Sequence, residues 1–413
     1  MADLPGPKMR VGEIPSGPVE LSAGDDFCLT SDEIAGDASR VSMSFEPLPR
    51  VVKPDDTLFL NDGIIQLRVR EVIGNDVYCK VVVGGTLSSK KGLNLPGIDL
   101  GISVFTDRDR ECLEFALEHG VDAVSQSFVE TAADIRAVRT AAARFGRIPF
   151  IIAKIERLGA VEHFEEILAA ADGVMIARGD LGVELPVEDI AVTQKRLIAM
   201  ANRIGKPVIT ATQMLESMTQ SRLPTRAEAT DVANAILDGT DCVMLSAESA
   251  VGKFPVDAVA MLGKIAASAE GHRCDLPGRC AGFATLESGS NDSRTLLAER
   301  VLSLIPCDFV LVPTVSGNSA RAISRARSSV WILAVGNDEE TLQGLCFSYG
   351  VEPVFLADEP ENWKDFARSL ADRFGLPCRR VILSAGPSCR QPEANHRIEL
   401  MELTPQLSTL ASP

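Results

Sequence analysis

The sequence predicts an α/β protein built on a (β/α)8-type TIM barrel that is incomplete at its N-terminus. It carries an inserted β-rich lid domain and a C-terminal α/β domain. Three observations carry this. Apolar strands alternate with amphipathic helices over residues 96–270, several of those strands end in charged or polar side chains, and the stretches on either side differ in texture.

Taken in order, residues 1–7 read as the remnant of one barrel strand around Asp3. Residues 8–95 are strand-like, with turn signals at Pro54-Asp55-Asp56, Asn61-Asp62-Gly63 and Gly74-Asn75-Asp76. Between them lie β-rich runs such as residues 64–69, which predicts a small β domain, sandwich or barrel. Residues 96–270 form the barrel proper. One helix is expected over residues 161–170, another after Pro186, and a third from Thr225, where Thr225 and Glu228 have the spacing of a capping box. An open doubly wound sheet is the alternative, but no glycine-rich phosphate fingerprint follows any strand. Residues 271–293, rich in small residues, read as a linker, and residues 294–413 as a smaller α/β domain with strands near 309–312, 330–333 and 380–383.

About five strand–helix units follow Pro96, whereas a closed barrel takes eight strands. The expectation is that two units and most of a third belong before Met1. Either the true polypeptide is longer, or a separate subunit completes the barrel.

Composition narrows the function classes. The 413 residues are 46% hydrophobic and 24% charged, ordinary for a soluble globular protein with ample core. The net charge of -16 argues against nucleic acid or an anionic membrane as partner. The 10 cysteines lack metal-ligand spacing. The nearest pair, Cys274 and Cys280, sits in the linker, so free thiols in a cytoplasmic protein are expected. Neither a signal segment nor a membrane-length apolar run is present in the sequence.

The chemistry concentrates at strand ends. Lys154 and Glu156 stand two apart at the end of an apolar run, so in extended chain both project to the same side. A second apolar run ends in Arg178-Gly179-Asp180. Buried charges must pair with each other or meet a ligand. One reading is an ion pair at the barrel rim, with Asp180 capping the next helix. The other is two carboxylates holding a divalent cation beside a lysine that faces an anion, which is a phosphoryl-transfer or enolate site. Residues 207–213 and 241–248 are further strands with polar ends, and this repetition favours the second reading.

The run Ala153-Lys154-Ile155-Glu156 is followed by Ala177-Arg178-Gly179-Asp180-Leu181-Gly182 and then by Thr210-Ala211-Thr212-Gln213-Met214-Leu215-Glu216-Ser217-Met218. Pro224-Thr225-Arg226-Ala227-Glu228 and residues 231–239 come next, and Lys91-Gly92-Leu93-Asn94-Leu95-Pro96-Gly97 and Gln126-Ser127-Phe128-Val129 lie upstream. In these motifs the chain resembles the pyruvate kinase family over nearly all its length, weakening after the linker.

The resemblance implies transfer of the phosphoryl group of phosphoenolpyruvate to ADP, giving pyruvate and ATP, with Mg²⁺ or Mn²⁺ held by Glu156 and Asp180. By the same resemblance Lys154 neutralises the transferring phosphoryl group and the enolate oxygen. Backbone N–H groups of Gly179 and Asp180 meet the substrate carboxylate. Thr212 contacts that carboxylate and helps protonate the enolate, Arg10 reaches the phosphate, Ser127 adds a substrate contact, and Glu248 orders the site. Asp3-Leu4-Pro5-Gly6-Pro7-Lys8 has the leucine and lysine of members that resemble K⁺-independent enzymes; the Lys8 ammonium stands where K⁺ would offset negative charge, so K⁺ is not expected to be required. Thr314, Ser316, Gly317, Asn318 and Ser319 resemble the loop that cradles an effector phosphate in regulated members, with Asn318 where arginine is frequent. A plain helix cap is the other reading of that loop. A homotetramer is implied by resemblance.

Three departures stand against this. Nothing matches the family's Asn-x-Ser-His segment, Ala247 and Ser249 replace glycine and threonine, and Val251 replaces a lysine near the nucleotide. The alternative function is therefore a catalytically impaired binding or regulatory subunit that needs a partner to complete the barrel.

Overall fold

The computed structural model describes residues 1–273, 297, 300–302, 304–386, 393 and 395–403. Most of the predicted linker, with Cys274 and Cys280, lies outside the described residues. The chain divides into two compact units, Met1–Leu197 with Thr210–Gln213, and Ile198–Ile209 with Met214–Pro413.

In the first unit parallel strands run in the order Ala2–Leu4, Ala123–Gln126, Phe150–Ile155 and Gly173–Ala177. The register sets Asp3 beside Ser125, and Lys154 beside Met175. Ala123–Gln126 and Gly173–Ala177 are buried throughout, as expected of strands covered on both faces. The connecting helices begin where the sequence supplies caps. Thr106 accepts from the Asp109 N–H while the Asp109 carboxylate accepts from the Thr106 N–H, opening Asp107–Glu118. The helix expected over 161–170 is broken at His163 into Leu158–Glu162 and Phe164–Ala170.

Between the first two barrel strands the chain leaves to form the β-rich part. Its six-stranded sheet runs Arg40–Ser42, Asp26–Thr30, Asp76–Val83, Ile65–Ile73, Thr57–Leu60, Leu93–Asn94, and Val19–Leu21 pairs separately with Gly85–Leu87. Ile65–Ile73 begins one residue later than the sequence run implied, and it buries Ile65, Leu67 and Val69 while exposing Arg68 and Arg70. That alternation places one face on a core with Leu29, Leu58, Val77 and Val81. Its hairpin to Asp76–Val83 turns at Gly74, whose φ of 61° suits the first central position of a two-residue turn.

The second unit contains Arg226–Asp238, which opens on the predicted capping box, since Thr225 and Glu228 exchange side-chain and backbone hydrogen bonds, and closes on Gly239 at φ 102°. The short strand Cys242–Val243 and the helix Pro255–Gly271 follow. A second sheet then runs Val351–Phe355, Trp331–Gly336, Phe309–Pro313, Arg380–Ala385, Arg397–Glu402, with only the last strand antiparallel. It has apolar clusters on both faces, as a parallel sheet requires. Among the described residues no helix is long and apolar enough to cross a membrane.

Candidate active site

A cleft of about 340 Å³ in the first unit is lined by Asp3, Lys8, Arg10, Asp62, Lys91, Asn94, Ser127, Lys154, Glu156 and Asp180, among others. Seven of these are residues that the sequence singled out. Lys154 lies at its centre. Its Nζ is 2.9 Å from Glu156 Oε1 and 3.3 Å from Asp3 Oδ2, and it donates to Ser127 Oγ at 2.8 Å. The expectation that Lys154 and Glu156 share a side is met by that first distance. Asp3 is held in turn by Ser125 Oγ at 2.7 Å.

Burial separates the partners. The Glu156 side chain is 2% exposed, Lys154 15% and Asp3 57%. Burial depresses the Lys154 ammonium, but the charges of Glu156 and then Asp3 outweigh it, and its pKa lies above the ordinary lysine value. Lys154 is therefore a fixed cation. Burial also dominates at Glu156 and pushes its carboxyl up; Lys154 opposes this, and repulsion from Asp180 adds to it. The second Glu156 oxygen accepts from the Phe128 N–H at 2.8 Å. Both Glu156 oxygens thus have protein partners, the Lys154 ammonium and the Phe128 N–H, with the Asp180 charge nearby.

The turn after the first strand depends on Gly6. At φ 62°, a Cβ there would meet Phe128 Cδ2 at 3.0 Å and the Ser127 carbonyl oxygen at 3.1 Å. The Gly6 N–H donates to the buried Asp109 carboxylate. Phe128 itself sits at φ 59°, so the N–H that serves Glu156 comes from strained backbone.

Asp180 lies inside the short helix Arg178–Glu184, not at its N-cap, which corrects the reading of Asp180 as a helix cap. Its Oδ1 faces Asn94 Nδ2 at 3.4 Å. Thr212, at φ 68°, accepts from the Gly179 N–H at 2.8 Å and donates to the Ala211 carbonyl at 2.6 Å. The Gly179 N–H assigned to a substrate carboxylate thus already has a protein partner. Arg10 and Lys8 are exposed on the cleft, and Arg10 Nη1 donates to the Lys90 carbonyl.

Glu248 belongs to the second unit. It is fully buried, and its two oxygens accept from the backbone N–H groups of Leu215 and Ser246. Gly317, at φ 77°, precedes the short helix Asn318–Ser324, and its N–H donates to Thr314 Oγ1 while Arg321 reaches the Ser316 carbonyl; no side chain caps the helix.

The family description "Pyruvate kinase, barrel domain" matches residues 1–259, and "Pyruvate kinase, alpha/beta domain" matches residues 296–391. The chain belongs to the pyruvate kinase family. It is 49% identical to the pyruvate kinase of Thermococcus litoralis over 374 residues, covering 88% of this chain and 78% of that one. Against pyruvate kinase 2 of a Synechocystis species the identity is 43%, over 90% of this chain and 63% of the relative. The crystal structure of a pyruvate kinase from Cryptosporidium parvum superposes with a TM-score of 0.87 at 34% identity, covering 97% of this chain and 83% of that one. The barrel with its lid and C-terminal α/β domain is thus the pyruvate kinase fold.

Within this pyruvate kinase framework, sequence reasoning passed over Asn94, Phe128 and Arg178. Asn94 and Phe128 lay in motifs already noted, but nothing in the chain order says that Asn94 faces a carboxylate 86 residues away.

Proposed function

We propose that this chain transfers the phosphoryl group of phosphoenolpyruvate to ADP, forming pyruvate and ATP at the cleft around Lys154. One observation carries the reading: a largely covered lysine in the cleft is held between two carboxylates, 2.9 Å from buried Glu156 and 3.3 Å from Asp3.

The family implies a divalent metal, and the donor set fits one. Among the described residues no three histidine, cysteine or carboxylate side chains converge. Mg²⁺ or Mn²⁺ would rest on Glu156 and Asp180 alone, leaving positions for substrate oxygens and water, as hard cations at phosphoryl sites prefer. When bound, the metal supplies charge neutralisation for the phosphoryl group and the developing enolate.

The protein's own groups do the rest. Lys154, locked in its charged form, offsets charge on the transferring phosphoryl oxygens without reorganising. Asp3, Glu156 and Ser127 hold its ammonium in place. Arg10 on the cleft wall meets the phosphate, and Lys8 takes the place of K⁺. The Gly179 and Asp180 N–H groups receive the substrate carboxylate, Gly179 exchanging its bond to Thr212 for one to the ligand, and the Thr212 hydroxyl reaches the enolate by turning its proton away from the Ala211 carbonyl. Glu248 orders the backbone at Leu215 and Ser246. The wider reading is a cytoplasmic homotetramer, with a phosphorylated effector at the 314–319 loop.

Pyruvate formation from phosphoenolpyruvate, ADP and Mg²⁺, measured with and without K⁺, tests this. Turnover indifferent to K⁺ is the expected result. Soluble, folded protein that binds phosphoenolpyruvate with Mg²⁺ but releases no pyruvate would replace the kinase reading with that of a binding subunit.

A further inference from the structure

Thr212 and Gln213 stand at φ 68° and 52°, two successive non-glycine residues in the left-handed region, the first of them β-branched. Such a pair persists only where the surroundings impose it. One neighbouring segment bonds to the first of the two. Arg178 Nη2 donates to the Thr212 carbonyl at 2.8 Å, its Nε to the Ala211 carbonyl at 3.3 Å, and its Nη1 to Gln194 Oε1 at 3.3 Å. Gln194 is 5% exposed, so the far end of the guanidinium is anchored in the interior. The next residue, Gly179, then binds the Thr212 hydroxyl through its N–H.

We propose that Arg178 is a positioning residue that holds Thr212 in its left-handed conformation and so aims its hydroxyl at Gly179, next to Asp180. The inference rests on the proposed reading of Thr212 as the group beside the substrate carboxylate and enolate. A planar guanidinium suits the task because its fixed fork can bind two successive carbonyls and a third acceptor at once; an ammonium of the same charge reaches them as a single point. The arrangement ties the metal carboxylate and the threonine to one rigid segment, since Asp180, Gly179 and Arg178 are consecutive at the start of the helix Arg178–Glu184.

The test uses the full chain with R178Q, R178K, T212V and the double variant R178Q/T212V. R178Q is expected to lower kcat by about 100-fold, the scale for a misplacement of about 1 Å, while the KM for ADP stays within about twofold of the parent. R178K, which retains one donor direction and the charge, should recover part of the loss and guards against a folding defect in R178Q. Because Arg178 acts through Thr212, the double variant should lose no more than T212V alone. Losses that multiply, or a KM for ADP that rises with unchanged kcat, would overturn the inference. A crystal structure of R178Q decides the matter even for a chain that proves inactive: Thr212 should leave positive φ, and a Thr212 that keeps it refutes the role of Arg178. Absence of turnover in the parent would instead count against the kinase reading.

Discussion

Replacing Lys154 by methionine keeps the length and apolar stem of the side chain and removes only the ammonium that Glu156, Asp3 and Ser127 surround. Leaving one partner of a buried ion pair uncompensated costs about 3–5 kcal/mol. Asp3 adds little to this, because a carboxylate 57% exposed is solvated and screened. The deficit has a pH signature. Glu156 already holds its proton more tightly than an ordinary glutamate because it is buried, and losing Lys154 strengthens that hold. A carboxyl whose folded pKa is raised weakens the folded state as pH climbs from the unfolded value through the folded one, and ceases to do so once protonated. The variant should therefore lose about 3–5 kcal/mol under mildly alkaline conditions and only about 1–2 kcal/mol at a pH low enough to protonate Glu156, the residue of lost hydrogen bonds. Urea denaturation at the two pH values measures this. Turnover should fall by at least about 100-fold, as for removal of one preorganised group that stabilises transition-state charge. A K154M protein equally destabilised at both pH values, or one that retains most of its turnover, would refute the reasoning.

Other expectations follow from the same geometry. Metal affinity should fall as pH drops through the raised Glu156 pKa, because proton and cation compete for one carboxylate; a titration that is flat there contradicts the assignment. Asn94→Ala should weaken metal binding by about 10-fold while shifting stability by less than about 1 kcal/mol, since its amide faces Asp180 at a long 3.4 Å. Gly6→Ala should cost about 1–2 kcal/mol from its positive φ alone, and weaken metal binding as well, because the displaced Phe128 is the residue whose N–H holds Glu156. In the second unit, Asp241 pairs with Arg327 at 2.9 Å with both side chains under 10% exposed, so Asp241→Ala should cost about 3–5 kcal/mol in urea denaturation and leave the first unit's metal affinity unchanged.

The sequence was most readable where local geometry translates directly into space. Period-two spacing placed Lys154 and Glu156 on one side of a strand, and three residues separated Thr225 from its capping partner Glu228. The long ordered motifs added the family and, through it, the lid and the C-terminal domain. What escaped is what tertiary contact decides. The helical pattern continues across His163 with no glycine or proline to mark the break that the structure shows. Phe128 and Thr212 are left-handed although neither residue type favours that region. Arg178 looked like one more charge at a strand end, yet it spends its donors on the carbonyls of Ala211 and Thr212. The Gly179 N–H looked free to receive a ligand because no sequence pattern announces that Thr212 would fold back onto it.

The central claim is that Glu156 and Asp180 carry the metal against which phosphoenolpyruvate is held. Anomalous scattering from crystals of this chain grown with Mn²⁺ and phosphoenolpyruvate tests it most directly. A single Mn²⁺ peak bonded to Glu156 and Asp180, with substrate oxygens completing its shell and Lys154 facing the phosphate, is the predicted result. Mn²⁺ bound elsewhere, or substrate seated away from Lys154, would contradict the account.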